Sequence, residues 1–326
     1  MRIFGLLFWA LAFLAQPALA ADVPPHLQPL EQRLAALATE NPGEYGFAAL
    51  DLTTGDMVSF NGNRPFPMAS TMKVAVAAVY LSQVDAGRRR LYDMIGDNTA
   101  SSLLDRMMVH SDNRATDQLL AALGGPAIID GWLRNHQLIG IRVDRTIAGL
   151  LGDDRDLWDI RDSSTPTAML GLLRLLDTGD ALTPQSRLVL LDMMRRCATG
   201  SNRIRGILPP GARVEHKTGT LNGYTGDVGY LTRPDGRRIA VVFFARGGEN
   251  RPAVISTAAR AIYDAFGTDA QAGLPTPWTT RVQTTGATLP RTAAPAPVQQ
   301  TGAMIPHTAP PASACSLGGS NVQAQC

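Results

Sequence analysis

Between residues 27 and 40 (LQPLEQRLAALATE) apolar positions recur at helical spacing, and Pro42-Gly43 stops them. Residues 45–52 and 56–60 alternate in the manner of two strands around the turn Thr53-Thr54-Gly55. From Pro67 to about Leu208 the spacing is mostly helical, divided by Pro, Gly and Asp/Ser/Thr starts. Strand patterns return at 213–221, 226–232 and 238–245, with Pro234-Asp235-Gly236 joining the last two, and 252–266 closes the series as a helix. The order is helix, two strands, a long helical insertion, three strands, helix. It predicts an α/β (α+β) fold: a five-stranded antiparallel sheet covered by the N- and C-terminal helices, beside an all-helical lobe at about 67–208. A cleft between sheet and lobe is the expected place for a site.

The two ends of the chain break this pattern. Residues 1–20, MRIFGLLFWALAFLAQPALA, combine an early Arg2, an apolar run and the small-x-small ending Ala18-Leu19-Ala20. They read as a secretory signal peptide, and the run is shorter than the ~20 apolar residues of a membrane span. The expected location is periplasmic or secreted, with no membrane span after signal removal. After residue 267 the composition turns to Thr, Ala, Pro, Gln and Gly, so residues 268–326 are expected to be a disordered tail and 21–267 the catalytic domain. A net charge of +2 in 326 residues gives no basis for nucleic-acid binding. Of the three cysteines, Cys315 and Cys326 bracket a short loop that an oxidising compartment would allow to bridge. Cys197 lies in an apolar run and reads as a buried, inert thiol. No Cys/His cluster has metal-ligand spacing, and no cofactor or metal is expected.

Candidate chemistry enters through lysine usage. Lys73 and Lys217 are the only two lysines among 30 cationic side chains. Lys73 belongs to Ser70-Thr71-Met72-Lys73, ahead of the apolar run VAVAAVYL, which places Ser70 near a helix start with Lys73 on the same face. A serine hydroxyl needs a base to become a nucleophile, and lysine can surrender its proton where arginine cannot. Free N–H groups at a helix start can also face a developing oxyanion. Alone, S-x-x-K is weak, since about one chance match is expected in a chain of this length. Ser111-Asp112-Asn113 has an equally plain reading, an N-cap for the helix RATDQLLAAL. Lys217-Thr218-Gly219-Thr220 lies in a strand pattern, where a lone lysine commonly protects a sheet edge and a glycine marks close backbone approach. Together, in the order S-x-x-K, S-D-N, K-T-G, the three form a set known from class A β-lactamases and penicillin-binding proteins, and both lysines fall inside it.

With these residues in view, FPMASTMKVAV, HSDNRATDQLL, RDSSTPTAML and VEHKTGTLNGYTGDVGYL make the chain similar to the class A β-lactamase family from about Leu27 to Phe266. The resemblance implies the sheet-and-helical-lobe fold read above. It implies Ser70 as the acylated nucleophile, Lys73 as its base and Ser111 as the proton carrier to the departing ring nitrogen. Asn113 would bind the substrate amide, and Lys217 and Thr218 the substrate carboxylate. Gly219-Thr220 would form the strand edge along which substrate lies, with the N–H groups of Ser70 and Thr220 as the oxyanion hole. The expected partner is a small-molecule β-lactam or a D-Ala-D-Ala-type peptide, bound by a monomer.

One departure concerns the second half of that chemistry. The family carries a Glu, and four residues on an Asn, that hold the water which hydrolyses the acyl-enzyme. Here the loop reads DRTIAGLLGDDRDLWDIRD, and the Glu position falls on Ile147 counted from Asp144-Arg145 or on Gly149 counted back from Arg161-Asp162. Asp153, Asp154 and Asp156 are the nearby acids, although they also read as turn and surface residues. The missing Glu leaves three readings open: a β-lactamase, a D-alanyl-D-alanine peptidase or penicillin-binding protein, and a non-turnover β-lactam sensor. A Ser-His-Asp hydrolase is disfavoured. There is no G-x-S-x-G, and His110 and His216 read as structural polar residues.

Overall fold

The computed structural model describes residues 23–268 apart from Arg155; the signal peptide, the tail and the proposed Cys315–Cys326 bridge lie outside the described residues. Helix α1 (Gln28–Glu40) leads into strands β1 (Glu44–Asp51) and β2 (Met57–Phe60). The chain then leaves the sheet through the two-residue strand β3 (Phe66–Pro67) and a 3-10 turn at Ala69–Met72. The insertion contains α2 (Lys73–Asp85), the small hairpin β4 (Met94–Ile95) and β5 (Asn98–Thr99), α3 (Ala100–Val109), α4 (Asn113–Leu123) and α5 (Pro126–Asn135). It continues with α6 (Ile147–Gly152), β6 (Ser163–Ser164), α7 (Pro166–Thr178) and α8 (Pro184–Arg195). Strands β7 (Arg213–Leu221), β8 (Tyr224–Thr232) and β9 (Arg238–Arg246) and helix α9 (Arg251–Thr268) complete it.

The sheet is antiparallel in the order β2-β1-β9-β8-β7, so the first and last strands pair at its centre. Period-2 alternation assigns its two faces. Phe47, Ala49, Val241 and Phe243 pack with Leu30 and Leu34 of α1 and Ile255 and Ile262 of α9. Ala48, Leu50, Val242 and Phe244 face the helical lobe. β8 starts two residues before the sequence pattern suggested, because Asn222-Gly223 makes a tight turn: Leu221 pairs with Tyr224, and Gly223 has φ +72°.

Helix starts in the lobe follow local chemistry. Thr99, Asp112, Thr146, Thr165 and Thr183 each accept a backbone N–H three residues on. Helix α2 has no polar face: every residue from Lys73 to Leu81 is buried, so it forms the axis around which the lobe packs. That is why a lysine at its first position is informative. A cation there is enclosed whichever way the helix turns.

Candidate active site

Ser70 does not begin a regular α-helix. It lies in the 3-10 turn, preceded by Ala69 at φ +47°, and Lys73 is the first residue of α2. In a 3-10 turn residues three apart eclipse, so the S-x-x-K spacing still stacks the two side chains on one face. A non-glycine residue in the left-handed region carries strain of about 1–3 kcal/mol, held here by the packing of Ala69 and Met72 in the core. Ser70 is half-buried between buried neighbours.

The two lysines are both 0% exposed and meet at one hydroxyl. Lys73 Nζ donates to Ser111 O at 2.7 Å, Ser111 Oγ at 3.1 Å and Asn113 Oδ1 at 2.8 Å. Lys217 Nζ donates to Ser111 Oγ at 3.0 Å and to Thr218 O at 3.1 Å. Ser111 therefore bridges α2 and β7 across 38 and 106 residues of sequence. The plain reading of Ser-Asp-Asn also holds: Asp112 caps α4 through Ala115 N at 2.9 Å and is bound by Arg106 Nε at 2.9 Å. Burial pushes the Asp112 carboxyl up, and the Ala115 N–H and the Arg106 guanidinium outweigh it and hold it below its ordinary range. The cap fixes Ser111, itself at φ +59°, and Asn113 on either side of it.

β7 is an edge strand of the sheet, but Lys217 is no surface guard on that edge, because the Ser70 turn and the lobe cover it. Gly219 makes the approach possible. A Cβ there would stand 2.6 Å from Met68 O and 3.2 Å from Ala69 Cβ, closer than side chains tolerate. Thr220 and Asn113 are exposed.

The sequence reading passed over Arg203. Its Nη1 donates to Gly219 O at 3.1 Å and Gly226 O at 2.9 Å, and its Nη2 to Thr220 Oγ1 at 2.7 Å. It braces the end of the K-T-G-T segment and adds a cation beside it. With 28 arginines in the chain, no local signal distinguished this one.

The loop that should carry the missing Glu is built differently. Ile147 opens α6, is 3% exposed and belongs to the lobe's apolar core. Asp117, one helical turn after Asn113, receives Ile147 N at 2.7 Å and Ala148 N at 2.9 Å. Asp153 accepts from Arg145 Nη1 at 2.5 Å and from Arg161 Nη1 at 3.4 Å. Asp156 accepts Trp158 N at 2.8 Å, and Asp154 is exposed. The loop is tied down by Asp162, fully buried at φ +51°, which accepts from Asp144 N, Arg145 N and Arg145 Nε at 2.8, 3.0 and 2.6 Å. Among the described residues no group of three His, Cys, Asp or Glu is placed to hold a metal ion.

Acid should release this loop. The Arg161 guanidinium beside Asp159, against some burial, holds its carboxyl at about 2. Burial pushes Asp144 up, but Arg142 and the Asp162 N–H outweigh it and keep it below its ordinary value. A depressed folded-state pKa contributes stability that is complete above the unfolded value and lost as pH falls through the folded one. Thermal midpoints are therefore expected to be flat above about pH 5 and to drop between about pH 4 and pH 2. A scan of melting temperature against pH checks this, and no drop over that range would contradict it.

A family profile described as "Beta-lactamase enzyme family" matches residues 29–266. The chain is 30% identical to beta-lactamase CTX-M-8 of Citrobacter amalonaticus over 262 residues, covering 73% of this chain and 89% of that protein. It is 28% identical to beta-lactamase OXY-2 of Klebsiella oxytoca, covering 72% and 88%. Among solved structures, an ancestral (GNCA) class A beta-lactamase superposes with a TM-score of 0.69 at 34% identity, covering 73% of this chain and 100% of that one. A beta-lactamase from Chitinophaga pinensis does so with a TM-score of 0.69 at 29% identity, covering 73% and 99%. With its fold, its motif order and its relatives in accord, the chain belongs to the β-lactamase enzyme family, and within it to class A.

Proposed function

We propose that this protein opens β-lactam rings by acylation of Ser70, working in the periplasm or outside the cell. The observation that carries the reading is the Ser111 hydroxyl held between Lys73 and Lys217 at 3.1 and 3.0 Å. Lys73 takes the Ser70 proton as Oγ attacks the lactam carbonyl. The N–H groups of Ser70 and Thr220 receive the oxyanion. The proton passes through Ser111 Oγ to the departing ring nitrogen. Lys217 and the Thr218 hydroxyl hold the substrate carboxylate, Asn113 its side-chain amide, and Arg203 keeps Thr220 in place.

Breaking the acyl-enzyme is the slower half in this reading. Neither Ile147 nor Gly149, the two positions on which the family's base falls, carries a carboxylate, and Asp153 is occupied by two guanidinium groups. The same observation favours a second reading, a D-alanyl-D-alanine peptidase or penicillin-binding protein, with a non-turnover β-lactam sensor as its limiting case. Intact-mass measurement after mixing with benzylpenicillin should show one adduct, mapped to Ser70. Absence of any adduct removes the acylation reading. Continued turnover of a chromogenic cephalosporin selects the β-lactamase, a single stoichiometric burst selects the binding protein, and release of D-Ala from a peptide ending in D-Ala-D-Ala selects the peptidase.

A further inference from the structure

Behind the Lys217–Thr218 segment lies a cluster that the proposed chemistry does not use. His216, on the opposite face of β7 from Lys217, places Nδ1 2.8 Å from Asp227 Oδ1 on β8. Its Nε2 is buried and makes no hydrogen bond within ordinary limits. The neighbour of this ring is the thiol of Cys197, just after α8; Cys197 is 1% exposed, and His216 and Asp227 are fully buried. From the sulfur a chain of hydroxyls leads back to the site. Cys197 Sγ is 3.4 Å from Thr199 Oγ1, and Thr199 Oγ1 is 2.5 Å from Thr218 Oγ1.

Each hydroxyl has one proton, so the direction of this chain is set at its far end. A protonated sulfur can donate to Thr199 O, 3.8 Å away, which leaves the Thr199 hydroxyl to donate to Thr218. The Thr218 proton is then available to a carboxylate in the cleft. A thiolate instead accepts from the Thr199 hydroxyl. Thr199 Oγ1 then accepts from Thr218, whose proton is turned inward. The proton leaving sulfur is relayed along the same hydroxyls: sulfur gives its proton to Thr199 Oγ1, Thr199 gives its own to Thr218 Oγ1, and Thr218 gives its own to solvent water. An S–H bond breaks and an O–H bond to water forms, so the net change is one proton released.

We propose that Cys197, His216 and Asp227 are positioning residues for substrate binding: the proton on the Cys197 sulfur sets, through Thr199, whether the Thr218 hydroxyl can donate to the substrate carboxylate. The inference rests on the reading of Thr218 as a carboxylate ligand. In it Cys197, buried as the sequence predicts, takes part in binding. Burial pushes the thiol up, but the positive charges of His216 and Lys217 and the Thr199 hydroxyl bring it well below its ordinary 9.0. Burial pushes His216 down, and Asp227 and Cys197 outweigh it and raise it. The charged groups around the sulfur are His216 and Lys217 from β7, Asp227 from β8, and Arg203 and Arg205 from the segment between α8 and β7. Arg196, the C-cap of α8, is turned outward to Asp105 and Asp192.

The test separates binding from chemistry in the acylation of the full chain by benzylpenicillin. The half-saturating concentration should fall about tenfold as pH is lowered from about 8 to about 5, the worth of one hydrogen bond to a charged group. The limiting acylation rate reports Lys73 separately. In Thr199→Val the sulfur remains but the hydroxyl chain is cut. There the pH dependence of half-saturation should vanish, while ultraviolet thiolate absorbance still titrates as in the parent. Cys197→Ser should lose both. A Thr199→Val protein that keeps the parent's pH dependence overturns the proposal, as does a parent with no thiolate signal over this range. Failure of the parent to form any Ser70 adduct would count against the acylation reading instead, and the thiolate titration can be read without it.

Discussion

Acylation of Ser70 by benzylpenicillin is expected to slow by at least about 100-fold in Lys73→Arg, although the charge is kept. The position explains the size of the effect. Lys73 is fully buried at the start of a helix with no polar face, and its Nζ lies within hydrogen-bond distance of three oxygens from Ser111 and Asn113. An arginine can satisfy these acceptors, since its guanidinium carries five donors. It cannot release a proton to become the base for Ser70. The matched variant Lys217→Arg should be far milder, within about tenfold, because the role proposed for Lys217 is that of a fixed charge. Stopped-flow mixing followed by intact mass gives both rates, and melting temperatures confirm that each variant is folded. Near-parental acylation by Lys73→Arg would sink the base assignment.

Asp162→Ala is expected to cost about 3–5 kcal/mol of stability, the loss typical of removing one partner from a buried ion pair. In a domain of this size that is a fall in melting temperature of about 10 °C. Asp162 is fully buried, receives two backbone N–H groups and the Arg145 guanidinium, and returns its own N–H to Asp144 at 2.9 Å. Without it, Arg145 keeps only Asp153 and Asp159 as ion-pair partners. The damage should reach the nucleophile, because Asp162 O accepts Met68 N at 2.9 Å, two residues before Ser70. Acylation is therefore expected to weaken along with stability. Asp162→Asn keeps an oxygen for the N–H groups and should recover part of the stability. A loss below about 1 kcal/mol in Asp162→Ala would show that the loop is held by other contacts.

Hydrophobic period settled much of the architecture before any contact was known. The strand pattern at 213–221 coincides with β7, and the helical pattern at 27–40 with α1 but for one residue. These elements are legible because one buried face imposes its spacing on the residues. The tight turn at Asn222-Gly223 carries no alternation of its own, so the spacing alone starts β8 two residues late. The site was legible as three motifs, since a nucleophile, its base and a carboxylate ligand each require a particular side-chain type. Arg203 was not, because bracing a strand end from a distant loop leaves no mark in local spacing.

By itself, then, the sequence determined the candidates for reaction: Ser70 three residues before one of only two lysines, and no carboxylate at either Ile147 or Gly149. Only the tertiary structure decided what those residues meet. It showed both lysines enclosed on one Ser111 hydroxyl, a buried Lys217 on what reads locally as an edge strand, and Cys197 set beside His216 and Asp227. The reason is physical. Chemistry belongs to side-chain type, which the sequence states outright. Charge state and proton direction depend on burial and on partners up to 106 residues away, which exist only once the chain has packed.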